Sequence, residues 1–390
     1  MHLPDYDGAS IVNLMRSIER ALDAGPGDAT AAYPELTALP AQTLSGARNI
    51  VLLVIDGLGY DYLTAAGADS ALRRRLKARM TSVFPSTTAT AITSFLTGVG
   101  PQQHALTGWN MWLRELGCLA TTLRFRPRHG GEPLSKAGIA PSSVFTVEPM
   151  FDRIAASAYV LSPAEIVDSD YNVAHCGSAL RRPYKEVPEM FSAAADILRS
   201  GSERKFIHAY TSELDAAAHT FGSASPELQQ KFRQIDAAFA RFLEEIAGTD
   251  TAVIAAADHG FIDSPKAARI ELEDHPELAQ TLMLPLCGER RVAYCYVWPG
   301  QEAAFEHYVQ TRLAHCASLY RSRDLIAQGW FGLGPANPRL AERIGEYTLV
   351  MKDDYTIKDW IPGERRHLTL GVHGGVSAAE MHVPLIVAEA

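Results

Sequence analysis

Continuous apolar runs alternate with amphipathic stretches along this chain, and that alternation predicts most of its elements. "NIVLLVI" (Asn49 to Ile55) is wholly apolar after its first residue and ends at Asp56-Gly57. This is the pattern of a strand covered on both faces. Three later segments share it: "KFIHAYTS" (Lys205 to Ser212), "TAVIAAAD" (Thr251 to Asp258) and the terminal "VPLIVAEA". Helical periodicity precedes the first two, in "PEMFSAAADILRS" and "PELQQKFRQIDAAFARFLEEIAG", and residues 9–24 form another amphipathic pattern. Strand and helix alternation of this kind builds a mostly parallel sheet covered by helices. Between about Phe261 and Gly371 the texture changes to "RVAYCYVWP", the helical "GQEAAFEHYVQTRLAHC" and "EYTLVMKDD". The expected organisation is an α/β core of residues 1–260 and 372–390, with 261–371 as a smaller α+β insertion that caps or borders the site.

Composition narrows this further. The chain is 47% hydrophobic and 21% charged over 390 residues, which excludes a disordered chain and allows a large core. Its net charge of −9 provides no global basic field for nucleic acid or an anionic membrane. An anionic substrate would need a local positive centre, and a metal would supply one. The five cysteines form no C-x-x-C pair, and their odd count fits buried free thiols in a reducing compartment. The N-terminal stretch lacks the charged-then-apolar pattern of a signal peptide. No apolar run approaches the roughly 20 residues of a membrane-spanning helix. A soluble, cytoplasmic protein is expected.

The chemistry gathers where the strands end, which is where open α/β sheets bind ligands. Asp56 follows the first strand, and Asp258 and His259 follow another in "AAADHGF". Asp215 and His219 follow "KFIHAYTS", and their i, i+4 spacing places both on one helical face. His373 lies in "GVHGG", where small neighbours allow close approach. A lone Asp after a strand is usually a helix cap or turn former. Three Asp and three His at strand ends together offer the donors that Zn²⁺ or a similar ion prefers. With one hydroxyl they suffice for two ions, each with an open position, as in two-metal phosphoryl transfer.

The motifs "VIDGLG", "FPSTTATAITSFLTG", "ELDAAAHTFG", "ADHGF" and "GVHGG" follow one another between Asp56 and His373. In this order they resemble the alkaline phosphatase superfamily, and within it the nucleotide pyrophosphatase/phosphodiesterase (type I phosphodiesterase) family. The resemblance implies an alkaline-phosphatase-like, doubly wound, mostly parallel sheet with helices on both faces. It implies two divalent ions, zinc first and manganese second. Asp56, Thr88, Asp258 and His259 would hold one, and Asp215, His219 and His373 the other. Laid without gaps from Phe84-Pro85 to Thr97-Gly98, the family's nucleophile motif falls on Thr88, with Ser86 and Thr87 as fallbacks and Ser86 fitting a helix-cap role. Independently of the family, a free Thr hydroxyl is a poor nucleophile at neutral pH, and metal coordination can hold it as an alkoxide. A helix N-terminus would also draw a phosphate towards it. The implied mechanism is a threonyl-phosphate ester, formed and then hydrolysed.

Two departures bear on the substrate. The family's F-P-N-H after the nucleophile becomes Ala89-Thr90-Ala91-Ile92. The family's phosphate-holding Asn aligns with Trp109 in "PQQHALTGWNMW"; a one-residue insertion would make Asn110 that donor.

Elsewhere the bland assignments prevail. His104 and His208 are expected to be structural, and Arg365 and Arg366 a solvated loop. Trp109, Trp112, Trp330 and Phe331 fit core or interface positions, with base stacking as the alternative. Glu380, near His382, is a candidate buttress for a ligand histidine. The resulting expectation is a metal-dependent phosphohydrolase cleaving phosphodiester or pyrophosphate bonds of a small phosphorylated substrate, a nucleotide among the candidates. The alternative is a phosphomonoesterase or phosphonate hydrolase of the same superfamily. More distant are a non-catalytic binding protein on this fold and a manganese-dependent mutase, whose relatives use Ser as nucleophile.

Overall fold

A computed structural model describes residues 1–24, 32–364 and 366–390. Arg365 therefore lies outside the described residues. The strand predicted at Asn49–Ile55 (β1) is buried at every position. It runs parallel to Lys205–Thr211 (β5) on one side and Thr251–Ala256 (β6) on the other, both equally buried. With Leu76–Thr81 (β2), Ser157–Pro163 (β3), Leu180–Tyr184 (β4) and His382–Glu389 (β7), they form a seven-stranded sheet of order β2-β7-β6-β1-β5-β3-β4. The terminal strand β7 alone runs against its neighbours, antiparallel to β2 and β6. β2, β3 and β4 carry no apolar run because they lie near the edges, where only part of each strand is buried.

Helices form where sequence periodicity and caps coincide. Ile11–Ala21 (α1) starts at Ser10, which forms a capping box with Asn13. Thr88–Thr97 (α2) ends on Gly98, at φ +72°. Val187–Arg199 (α3) and Glu213–Phe221 (α4) flank β5 in the chain, and Pro226–Glu245 (α5) starts at Ser225 with Pro in its first turn. The apolar stripe of α5, including Phe232, Ile235, Phe239 and Phe242, is buried in the main core. Among the described residues no helix is long and apolar enough to cross a membrane.

A second seven-stranded sheet is antiparallel throughout. It joins Ala317–Arg321, Tyr347–Met351, Val292–Cys295 and Cys287–Gly288 to Asn110–Leu113, Cys118–Thr121 and Arg126–Pro127. Chain from between β1 and β5 therefore meets chain from after β6 in one layer, with its own apolar clusters. The helix expected over 300–316 is α-helical only at Glu302–Tyr308 and continues as a π turn at Val309–Leu313. All five cysteines are free.

Candidate active site

The site lies at the carboxyl ends of β1, β5 and β6, on the wall of a cavity of about 990 Å³. Asp56 follows the last residue of β1 directly. The chain then turns at Gly57, whose φ is +77°; a Cβ there would stand 3.0 Å from the Asp215 Cβ, so glycine lets β1 and α4 bring their carboxylates together. Thr88 is the first residue of α2. Its Oγ1 lies 3.1 Å from His259 Nε2 and 3.5 Å from Asp56 Oδ2. The same His259 Nε2 is 3.3 Å from Asp56 Oδ1 and 3.4 Å from Asp258 Oδ2. On α4, His219 Nε2 lies 3.1 Å from Asp215 Oδ2, and His373 Nε2 lies 3.9 Å from Asp215 Oδ1. The His259 and His373 rings stack at 3.7 Å and join the two groups.

Asp56, Asp258 and His259 present ligand atoms close enough for one ion, as do Asp215, His259 and His373. The donor set fits a divalent cation on its own evidence. Asp56 Oδ1, Asp215 Oδ1 and Asp258 Oδ2 are buried without a hydrogen-bond partner among the described residues. Buried polar atoms of this kind are costly unless something satisfies them. Burial, then the charges of Asp258 and Asp215, push the Asp56 carboxyl well above its ordinary range. Burial also raises Asp258, against the pull of His259. Burial would raise Asp215 too, but His219, His373 and His259 outweigh it and hold that carboxyl well down. Conversely, burial disfavours a charged His219, yet Asp215 lifts it to about 9. Three dry carboxylates facing one another call for positive charge.

Neighbouring groups aim these side chains. His219 Nδ1 faces the Gly371 carbonyl at 2.7 Å and His259 Nδ1 the Gly260 carbonyl at 2.9 Å, which directs each Nε2 into the site. Asp258 Oδ1 accepts from the Gly57 and His259 amides at 3.1 and 3.0 Å. The Tyr210 hydroxyl donates to Asp56 Oδ2 at 2.5 Å. Glu380 accepts from the Gly375 amide at 2.8 Å, two residues beyond His373, and pairs with Arg291.

The fallback hydroxyls are engaged elsewhere. Ser86 does not cap α2: its hydroxyl donates to the Gly375 carbonyl at 2.7 Å, and Thr87 occupies the cap position without a side-chain cap bond. Thr87 Oγ1 donates instead to Glu289 Oε1 at 2.8 Å. Trp109 and Asn110 both line the cavity; the Trp109 amide donates to the same Glu289 oxygen at 2.7 Å, and Asn110 Oδ1 accepts from Thr121. Trp330 and Phe331 pack on Phe84 in the core, away from any base-stacking role. His104 bonds Ser94 and the Leu106 amide, His208 packs between Phe95 and Phe151, and Arg366 pairs with Glu273 at the surface.

Sequence reasoning missed Tyr210, Glu289 and the arginines of the cavity wall. Tyr210 gave no signal, being one residue of a buried strand. The arginines did: "RFRPR" (124–128) places a cation at every second position, with Phe125 buried in the main core between two of them.

The profile of the type I phosphodiesterase/nucleotide pyrophosphatase family matches residues 50–375. Among solved structures, the fold is similar to murine ectonucleotide pyrophosphatase/phosphodiesterase 5, with a TM-score of 0.64 at 16% identity, over 86% of this chain and 87% of that one. An inactive form of that protein bound to AMP superposes with a TM-score of 0.63 at 16% identity, with the same coverage of 86% and 87%. Phosphonoacetate hydrolase from Sinorhizobium meliloti, bound to phosphonoacetate, gives 0.64 at 17% identity over 88% of this chain and 90% of that one.

Proposed function

Because the chain belongs to the type I phosphodiesterase/nucleotide pyrophosphatase family, a family of hydrolases acting on phosphoester and pyrophosphate bonds, we propose that it cleaves phosphodiesters or pyrophosphates through a phosphorylated Thr88. One observation carries the reading: the Thr88 hydroxyl is the oxygen at a helix start that faces both His259 and Asp56 within 3.5 Å. We assign Asp56, Thr88, Asp258 and His259 to one divalent ion and Asp215, His219 and His373 to a second, with zinc favoured by the mixed carboxylate and imidazole donors. Ions held there supply positive charge that eases loss of the Thr88 proton and offsets the charge of the phosphate.

The chain's own groups do the rest. Thr88 is the first residue of α2, and a helix N-terminus favours an anion at that position. The Oγ1–phosphorus bond forms as the bond from phosphorus to the leaving oxygen breaks, and water later cleaves the threonyl ester. Tyr210 holds Asp56 in orientation, and the Gly57 amide does the same for Asp258. Asn110, on the cavity wall, is the candidate donor to a non-bridging phosphate oxygen. The stretch 261–371 supplies Glu289, Arg290 and Lys358 to the substrate cavity.

The alternative within the superfamily is a phosphomonoesterase or phosphonate hydrolase, since the metal donors would be the same. Comparing kcat/KM on bis-p-nitrophenyl phosphate, p-nitrophenyl phosphate and thymidine 5′-p-nitrophenyl phosphate separates the readings; a clear preference for the monoester would overturn the diesterase assignment. Thr88→Ala should abolish turnover without unfolding the protein, and wild-type-like activity in that variant would remove the mechanism. Metal analysis of the purified protein should find zinc or manganese. A metal-free protein that stays inactive on metal addition would instead favour an inert binding protein.

A further inference from the structure

Thr87 has the backbone of a helix N-cap. It is extended, at φ −139° and ψ 151°, and its carbonyl accepts from the Ala91 amide at 2.9 Å. A Thr in that position ordinarily turns its hydroxyl onto an amide of the first turn. Ser10, Ser70, Ser169, Ser225 and Ser377, extended in the same way, each accept from the amide three residues on. Thr87 does not: its Oγ1 donates to Glu289 Oε1 at 2.8 Å, and α2 begins without a side-chain cap. This is also the helix start whose Thr88 faces the Asp56 carboxylate, one oxygen of which is buried without a partner among the described residues.

Close backbone packing places Glu289 for this contact. It follows the strand Cys287–Gly288 and opens a tight turn, its amide donating to the Val292 carbonyl at 2.8 Å. A Cβ on Gly108 would stand 2.7 Å from the Gly288 Cα, and one on Gly374 would stand 3.0 Å from the Glu289 Cβ. Glycine at both positions therefore lets the Trp109 segment and the His373 loop close directly on Glu289 and its neighbour. Two residues further on, Arg291 is locked to Glu380 with both side chains buried. The carboxylate is fixed in direction as well, because Oε1 also accepts from the Trp109 amide at 2.7 Å. A hydrogen bond to a carboxylate is about twice as strong as one between neutral groups, so Glu289 holds the Thr87 hydroxyl against the pull of the helix amides.

We propose that Glu289 is a positioning residue for the reaction at Thr88: it holds the Thr87 hydroxyl off the start of α2, so that the first-turn amides stay free for the oxygens of the phosphoryl group being transferred. This rests on the phosphohydrolase reading of Thr88 and adds how the helix start is kept open. Without an acceptor at position 289, the Thr87 hydroxyl turns onto the helix, as the five serines do, and occupies the donors that the phosphoryl oxygens need.

The test uses metal-loaded protein and two uncharged replacements of similar length. Glu289→Gln keeps an acceptor for Thr87 and Trp109, and Glu289→Met does not. Both remove the charge, so their comparison reads the acceptor alone. With bis-p-nitrophenyl phosphate as substrate, kcat of Glu289→Met should lie about tenfold or more below that of Glu289→Gln. The double variant Glu289→Met/Thr87→Ala has no hydroxyl to turn onto the helix, and its kcat should exceed that of Glu289→Met by about threefold or more. Recovery on removing a second group is an outcome that a merely structural role of Glu289 does not produce. Affinity for inorganic phosphate, measured by titration calorimetry, should follow the same order and be weakest in Glu289→Met. If that variant does not fold, Glu289→Ala, alone and with Thr87→Ala, takes its place. Equal kcat in the Met and Gln variants, or a double variant no faster than Glu289→Met, overturns the role of Glu289 while leaving the hydrolase reading intact. A wild type that neither turns over the diester nor binds phosphate overturns both.

Discussion

Arg291, just before the strand Val292–Cys295, and Glu380, in the short helix Ala378–Met381 that follows the His373 loop, form a buried ion pair that yields a quantitative stability prediction. The pair is bidentate, Nε to Oε1 and Nη2 to Oε2, both at 3.0 Å. Side-chain exposure is 1% and 0%. The same carboxylate accepts from the Gly375 amide at 2.8 Å and the Ser377 hydroxyl at 2.7 Å, and Arg291 also donates to the carbonyls of Lys352 and Tyr355. Glu380→Gln preserves the shape and an acceptor for Gly375, but leaves the guanidinium buried without a counter-charge. Removing one partner of such a pair costs about 3–5 kcal/mol. In a chain of this size that lowers the unfolding temperature by about 4–6 °C. Calorimetry at one scan rate measures the shift. Arg291→Met alone should be comparably damaging, because it strands the carboxylate. The double variant Arg291→Met/Glu380→Gln removes both charges and should be less damaged than either single variant, since an apolar group can replace a buried pair at little cost. If its loss instead equals the sum of the two, the pair is not coupled and the reasoning fails.

Tyr210→Phe removes the hydroxyl that orients Asp56; zinc affinity should fall about tenfold, and unchanged affinity by competition with a chelating dye would refute it. Glu289, pushed up to about 6 by burial, places a carboxylate beside Thr87 in the substrate cavity. At pH 8 Glu289→Gln should raise kcat/KM for p-nitrophenyl phosphate, a dianion, about tenfold relative to the monoanionic diester. An unchanged ratio of the two would exclude charge discrimination by this residue. Burial also pushes the His175 and His208 imidazoles down to about 4. The unfolded chain therefore binds more protons than the native one between about 6.5 and 4, and stability falls as pH drops through that window. Denaturant midpoints from pH 7 to pH 4 should decline, and His208→Leu should decline less steeply; parallel curves would contradict this.

The central strands and the strand-end residues were legible in the sequence because both follow from short-range pattern. A strand buried on both faces has to be a continuous apolar run, and "NIVLLVI" became β1 at the expected bounds. Polar groups placed just beyond such runs must lie at the carboxyl edge of the sheet, and there Asp56, Asp215 and Asp258 meet Thr88 and the three histidines. The edge strands β2 and β4, and β3 beside β4, were not legible, since a part-exposed strand needs no apolar run. Only the tertiary structure decided which distant segments face one another. It brings 110–127 and 287–351 into one sheet, and so sets Trp109, Asn110, Glu289, Arg124, Arg126 and Arg290 around one cavity. Whether a charged residue lacks a counterion depends on every element packed around it; no local pattern records that. The candidate hydroxyl and the donors around it were thus written in local sequence, while the lining of the cavity they open on came from long-range packing.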